Sequence, residues 1–207
     1  MSERSEKGLL VIISGPAGSG KGTVVGKILS SYPQEFCLSV SATTRAPRVG
    51  EEHGVHYYFI DKESFEERIE EGRMLEYASY CGNYYGTPAE YVEKKLDEGK
   101  NVILEIEVQG ALKIKEKLPE TVLVMITPPD YATLEARLRG RGTNTEEDIL
   151  NRLQRAKEEL ELIGHYDYAV INDDGKAEQA AEQICRICES EKRRVRRQPD
   201  FVKRFFS

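Results

Sequence analysis

The sequence predicts an α/β fold, three layers deep, with helices on both faces of a mainly parallel sheet and a smaller lobe inserted into it. Three observations predict it. Short apolar runs alternate with amphipathic helical stretches, and the first run enters a glycine-rich turn, "GPAGSGKGT", that opens a helix. Residues 42–98 then interrupt the alternation with glycines and tyrosines. Near-continuous Val/Ile/Leu runs without polar alternation are what strands covered on both faces require.

The elements follow in order. Leu9–Ile13 is the first strand, Gly22–Tyr32 the first helix, and Cys37–Ser41 a weaker strand. The interruption holds Gly50, Gly54, Gly72, Gly82 and Gly86 and most of the tyrosines. Within it, strand-like "VHYYFI" and "MLEYASY" flank helical "DKESFEERIEEG", which reads as a lobe between the first and third core strands. Core strands resume at Val102–Ile106, Val122–Ile126 and Tyr168–Ile171. The intervening helices are Ala111–Lys117, Ala132–Arg139 and Glu146–Ile163, with a last one from near Lys176 continuing to Pro199. Asp130 and Thr145 are predicted N-caps, and Thr145 with Asp148 makes a weak capping box.

At 207 residues the chain has room for one hydrophobic core with inserted lobes. Charged residues are 32% and the net charge is −6, which argues against a nucleic-acid partner, since that needs a basic face. Only the C-terminal "EKRRVRRQPDFVKRFFS" is basic, and it is expected to be a solvated, frayed end. No run approaches the roughly 20 apolar residues of a membrane span. The first apolar run is too short for a signal peptide, so a cytoplasmic location is expected. Four cysteines do not make a disulfide scaffold in a chain this long. Cys185 and Cys188 read as packing on one helix face, and Cys37 and Cys81 as buried or half-buried thiols. His53, His56 and His165 follow no metal spacing.

The glycine-rich turn carries the first chemistry. Glycines let the chain wrap so closely that backbone N–H groups converge on phosphate oxygens; Gly15, Pro16, Ala17, Gly18, Ser19, Gly20, Lys21, Gly22 and Thr23 form that cradle, with an N–H from every residue but Pro16. The helix start adds free donors, and Lys21 supplies a cation for the β- and γ-phosphates of a nucleoside triphosphate. The usual hydroxyl after the lysine is absent: that position is Gly22, with Thr23 one later. A triphosphate donor needs an acceptor in line with it. Arg45 and Arg48, three apart beside hydroxyls in "SVSATTRAPRVGE", suit a dianionic phosphate.

The segments "SGPAGSGKGT", "SVSATTRAPRVGE", "GNYYGT", "LEIEVQG", "RLRGRGTNTEE" and "VIND" resemble the guanylate kinase family in order and spacing, from about Leu9 to Asp174. The resemblance implies a P-loop kinase core (1–36, 96–130, 156–207), a mixed α+β GMP-binding lobe (37–95) and a helical lid (131–155). It implies transfer of a phosphoryl group from ATP, with Mg²⁺, to GMP. Ser41, Arg45, Arg48, Tyr57 and Tyr85 then hold the GMP phosphate, and Glu76, Thr87 and Glu107 read guanine. Arg137, Arg141 and Arg152 belong to the lid and its hinge, and Asn172 lies near the donor. Lys21, Arg45 and the lid arginines supply the catalytic charge. Guanine offers N1–H and an N2 amino group, two donors that suit a carboxylate, whereas adenine offers an acceptor there. The family commonly has Asp where Glu107 stands, so Glu105 and Glu107 both remain candidates for guanine and for the metal side. Mg²⁺ is expected mainly through waters, near Thr23 and Glu105.

No general base is needed, because the acceptor phosphate, with a second pKa of about 6, is already an anion. Two rivals predict different behaviour. A guanylate-kinase-like scaffold module would bind phosphopeptides without turnover, and a kinase of another phosphorylated small molecule would not select guanine. The sequence leaves open whether the protein is a monomer or a homo-oligomer.

Overall fold

The fold is taken from a computed structural model that describes residues 7–140 and 145–206. The chain runs through β1 (Leu10–Ser14), α1 (Lys21–Ser31) and β2 (Phe36–Leu38). It then leaves the core for β3 (Ala42–Thr43), β4 (Tyr58–Phe59), α2 (Lys62–Glu70), β5 (Met74–Tyr80) and β6 (Asn83–Pro88). It returns through α3 (Ala89–Asp97), β7 (Asn101–Glu105), α4 (Val108–Lys117) and β8 (Val122–Thr127). After α5 (Tyr131–Arg139) and α6 (Glu146–Glu161) come β9 (Tyr168–Ile171), α7 (Ala177–Lys192) and α8 (Phe201–Phe205).

The core sheet has the order β2-β7-β1-β8-β9 with every pairing parallel, so each connection must cross over, and helices do so. Alternation along β1 sorts the two covered faces. Val11 and Ile13 pack with Val24, Ile28 and Ile184 under α1 and α7. Leu10 and Ile12 pack with Val92, Ala111 and Ile114 under α3 and α4. A second sheet, β4-β3-β6-β5, is mixed: β3 pairs parallel with β4, and β6 antiparallel with both β3 and β5. It carries its own buried cluster of Ala42, Phe65 and Met74, and α5 and α6 enclose another of Leu134, Leu138, Ile149, Leu153 and Ala156.

Several expectations change. The lobe follows the second core strand, β2, which ends at Leu38 instead of reaching Ser41, because Ser39 N–H is the last amide bonded to β7, at Ile103 O. Only Tyr58 and Phe59 of "VHYYFI" form strand. Thr145 and Asp148 make the complete reciprocal capping box. Cys81 is exposed, at the positive-φ corner of the β5–β6 turn (φ 48°).

The final helix stops at Lys192, well before Pro199, and the basic tail is docked through a short turn at Val195–Arg197. The cause is Glu191, 2% exposed, whose carboxylate accepts hydrogen bonds from Tyr168 Oη (2.6 Å), Arg194 Nη1 (2.9 Å) and Arg197 Nη2 (3.1 Å). These hydrogen bonds hold it ionised, below the usual carboxylate range, although burial alone would raise it. Arg197 also donates to the Glu120 carbonyl. A cavity of about 610 Å³ lies beside this strap, lined by Leu10, Val92, Leu118 and Pro199, away from the phosphate loop.

Candidate active site

The loop after β1 is shaped by close approach. A Cβ at Gly15 would fall 2.2 Å from the Ile126 carbonyl, and Gly20 caps α1 in the left-handed region at φ 79°. Lys21 Nζ, at the helix start, donates to the Gly15 carbonyl (3.0 Å) and so folds back over the loop. Asn172, at the end of β9, is buried and donates through Nδ2 to the Ser19 carbonyl (2.8 Å). Its Oδ1 and the Ser19 hydroxyl are buried without a hydrogen-bond partner.

Arg137 on α5 reaches this loop. Its Nε and Nη2 donate to Asp174 Oδ1 (2.9 and 2.6 Å), Nη2 to the Asn172 carbonyl (2.8 Å), and Nη1 faces the carbonyls of Gly18 and Ser19. These residues border an open cleft of about 490 Å³ with Thr23, Lys27 and Glu178 on its rim. Arg152 is half-buried on α6. Arg141 lies outside the described residues.

The lobe brings a second set together. Arg45 lies over the Tyr57 ring at 5.6 Å, and the Tyr57 and Tyr85 rings meet edge to face at 6.1 Å. Thr43 pairs in register with Tyr85, which fixes Arg45 just past the strand end. Ser41 passes its carbonyl to Tyr58 N–H, while Arg48 is exposed beside this cluster. Glu51 organises both arginines: Oε1 accepts from Arg45 (2.9 Å) and Oε2 from the Arg48 backbone N–H (2.7 Å). Those bonds, Arg45 first, hold its carboxyl at about 2.

Glu76 and Thr87 face each other across β5 and β6, where Thr87 Oγ1 donates to Glu76 Oε1 (2.8 Å). Burial pushes the Glu76 carboxyl up, opposed by that hydrogen bond and by the ammonium groups of Lys113 and Lys117. Its other oxygen abuts α4, 3.5 Å from where a Cβ would stand on Gly110. Glu107 is the N-cap position of that same helix, one turn before Gly110. Glu105 lies elsewhere: it pairs with Ile13 in the sheet, and its Oε1 is 3.5 Å from a Cβ built on Gly22. The two acids thus separate by register, Glu105 at the phosphate loop and Glu107 at the seam with the lobe.

Among the described residues no three His, Cys, Asp or Glu side chains form a metal cage. Glu51 and Asp174 were not legible as site residues. Glu51 sits in irregular chain that no periodicity marks, whereas "NDDG" does carry a turn signal at Asp174.

The family described as guanylate kinase matches residues 7–191. The chain belongs to the guanylate kinase family. It is 55% identical over 193 residues to guanylate kinase of Streptococcus mutans, covering 93% of this chain and 91% of that one. It is 57% identical over 192 residues to guanylate kinase of Lactococcus lactis, covering 93% and 92%. A crystal structure of guanylate kinase from Anaplasma phagocytophilum superposes with a TM-score of 0.73 at 32% identity, over 98% of this chain and 96% of that one. The family membership thus extends over both the phosphate loop and the tyrosine-rich lobe.

Proposed function

We propose that this protein transfers the γ-phosphoryl group of ATP, with Mg²⁺, to GMP, giving ADP and GDP. The observation that carries the reading is Glu76 with Thr87, a largely buried carboxylate and hydroxyl in the lobe, at the seam where α4 places Glu107. A buried hydrogen-bonding pair of this kind suits the N1–H and N2 amino donors of guanine and leaves adenine unmatched. Ser41, Arg45, Arg48, Tyr57 and Tyr85 take the GMP phosphate, with Glu51 aligning the arginines. The loop Gly15–Thr23 and Asn172 take the ATP phosphates and the adjoining nucleoside.

Alignment and positive charge then lower the barrier. Lys21 moves from the Gly15 carbonyl to the β- and γ-phosphates, and Arg137, Arg141 and Arg152 close over them from the lid. The lid is 131–155, whereas the GMP lobe narrows from 37–95 to about 39–88, because β2 (Phe36–Leu38) pairs in the core sheet and α3 (Ala89–Asp97) packs on it. Glu105, whose carboxylate lies beside Gly22, and Thr23 would hold Mg²⁺, largely through waters, and the ion would supply positive charge to the transferring group. The absence of a side chain at Gly22 leaves that space open. No helix among the described residues is long and apolar enough to cross a membrane, in keeping with a cytoplasmic enzyme of nucleotide metabolism.

A coupled assay of ADP release tests the reading. Turnover is expected with GMP, weakly with IMP, which lacks the N2 amino group, and negligibly with AMP or UMP. Equal rates with GMP and AMP would remove guanine from the proposal.

A further inference from the structure

Asn172 stands where three parts of the molecule meet. It directly follows β9, and its backbone N–H donates to the Thr127 carbonyl (2.8 Å), so the core sheet still fixes it one residue past the strand. Its carbonyl accepts from Arg137 Nη2 of α5 (2.8 Å), and its side chain, on a residue only 5% exposed, reaches the phosphate loop. There Nδ2 donates to the Ser19 carbonyl (2.8 Å) in a buried hydrogen bond.

The chemistry of that bond settles which way the amide faces. Ser19 offers a carbonyl, with which only the NH₂ end of Asn172 can pair. The Oδ1 end is buried with no hydrogen-bond partner, so among the described residues it is Nδ2 that ties the side chain to the loop. The approach is also close. A Cβ built on Gly20 would fall 2.4 Å from Nδ2, so the amide lies directly against the Gly20 backbone at the cap of α1.

The consequence lies on the far side of one peptide. In a trans peptide the C=O and the following N–H point in opposite directions, and the Ser19–Gly20 bond is trans. With the Ser19 carbonyl held by Asn172, the Gly20 N–H is turned away from β9. A flipped peptide would present a carbonyl oxygen to an anion in place of that donor. Donors fixed before the anion arrives cost no reorganisation when it binds. Because the holding amide is carried at the end of a core strand, the loop takes its geometry from the sheet.

We propose that Asn172 is a positioning residue for the phosphate loop: by holding the Ser19 carbonyl it keeps the Gly20 N–H aimed at the phosphates of the donor. This role is separate from any contact of Asn172 with the nucleoside. The inference rests on the phosphoryl-transfer reading above for the identity of that donor.

Inorganic tripolyphosphate tests it, because it offers phosphates with no base attached. In calorimetry with Mg²⁺, Asn172→Ala should weaken tripolyphosphate and ATP by similar factors, about tenfold each, as for one lost buried hydrogen bond. The affinity for GMP should stay within about twofold of wild type, since its lobe is distant. An unchanged tripolyphosphate affinity would place the effect on the nucleoside and overturn the proposal. Arg137 supplies a second control. The tenfold loss should persist in an Arg137→Ala background, about additively. If it disappears there, Asn172 acts through the lid arginine and the proposal fails.

The wild-type protein gives an answer that needs no variant to fold. Its Gly20 amide proton, followed by NMR, should move downfield as tripolyphosphate is added. A Gly20 signal indifferent to tripolyphosphate overturns the role. A wild-type protein that fails to turn over GMP would sink the phosphoryl-transfer reading, while the tripolyphosphate titrations would still decide Asn172.

Discussion

The guanine recognition proposed for Glu76 relies on burying charge, and that burial has a cost for Glu76. Its carboxyl is raised above the ordinary value near 4.3, so the folded chain holds that proton more tightly than the unfolded one. The sign follows directly: the penalty is absent below the unfolded pKa and grows as pH rises through the folded one. Glu76→Gln keeps an acceptor for Thr87 and removes the ionisation. Its thermal midpoint should exceed that of wild type at pH 8, and the difference should shrink to nothing near pH 4. The same variant should raise the KM for GMP roughly 100-fold, because an amide presents a donor where guanine also presents donors. Equal midpoints at both pH values would show that the carboxyl is not desolvated. Glu51 is the opposite case. At about 2 it stays ionised at any working pH, so its hold on Arg45 and Arg48 is lost only in strong acid.

At the scale of elements, the lobe depends on one ring. Phe65 on α2 is fully buried, stacks on Tyr84 of β6 at 5.2 Å, and closes a cluster separate from the main core. Phe65→Ala should cost about 3–4 kcal/mol, concentrated in the lobe. Hydrogen exchange should rise in β5 and β6 and the KM for GMP should increase. The affinity for ATP, measured by calorimetry, should stay unchanged, because the phosphate loop belongs to a different cluster. Much of this architecture is legible in the chain. Unbroken apolar runs mark four of the five core strands, and Thr145 with Asp148 marks the start of α6, because those signals are local. The strand β3 is not legible, because two residues carry no periodicity, and β4 is read only as the longer run "VHYYFI". The break after α7 is hidden for another reason. The tail reads as a solvated basic end until Tyr168, on β9, is seen to help select Glu191 as the acid that binds its arginines. In the site, Arg45 and Lys21 announce themselves by motif, whereas Glu51 lies in irregular chain and stands out only through its bonds to Arg45 and Arg48.

The whole molecule is a main sheet flanked by two small bodies, each closed around its own apolar cluster. The junctions near the site carry polar contacts, the Glu76 seam on one side and the Arg137–Asp174 pair on the other, beside small apolar ones at Leu75 and Ala17. Polar junctions between separately packed bodies favour relative motion. Asp174 is 79% exposed against 20% for Arg137, and such an exposed ion pair holds weakly enough for a phosphate to take the arginine from it. In the proposed reading each ligand recruits groups that otherwise occupy one junction, so the two together should close both bodies onto the sheet. A compact chain of this length has a radius of gyration of about 17 Å. Small-angle scattering with GMP and a non-hydrolysable ATP analogue should show it fall by about 1 Å, with either ligand alone giving only part of the change. Asp174→Ala should let the ATP analogue alone recover more of that contraction, since Arg137 no longer has to be drawn away. A radius indifferent to both ligands would mean that the junctions are rigid and that the lid arginines already stand at their working positions.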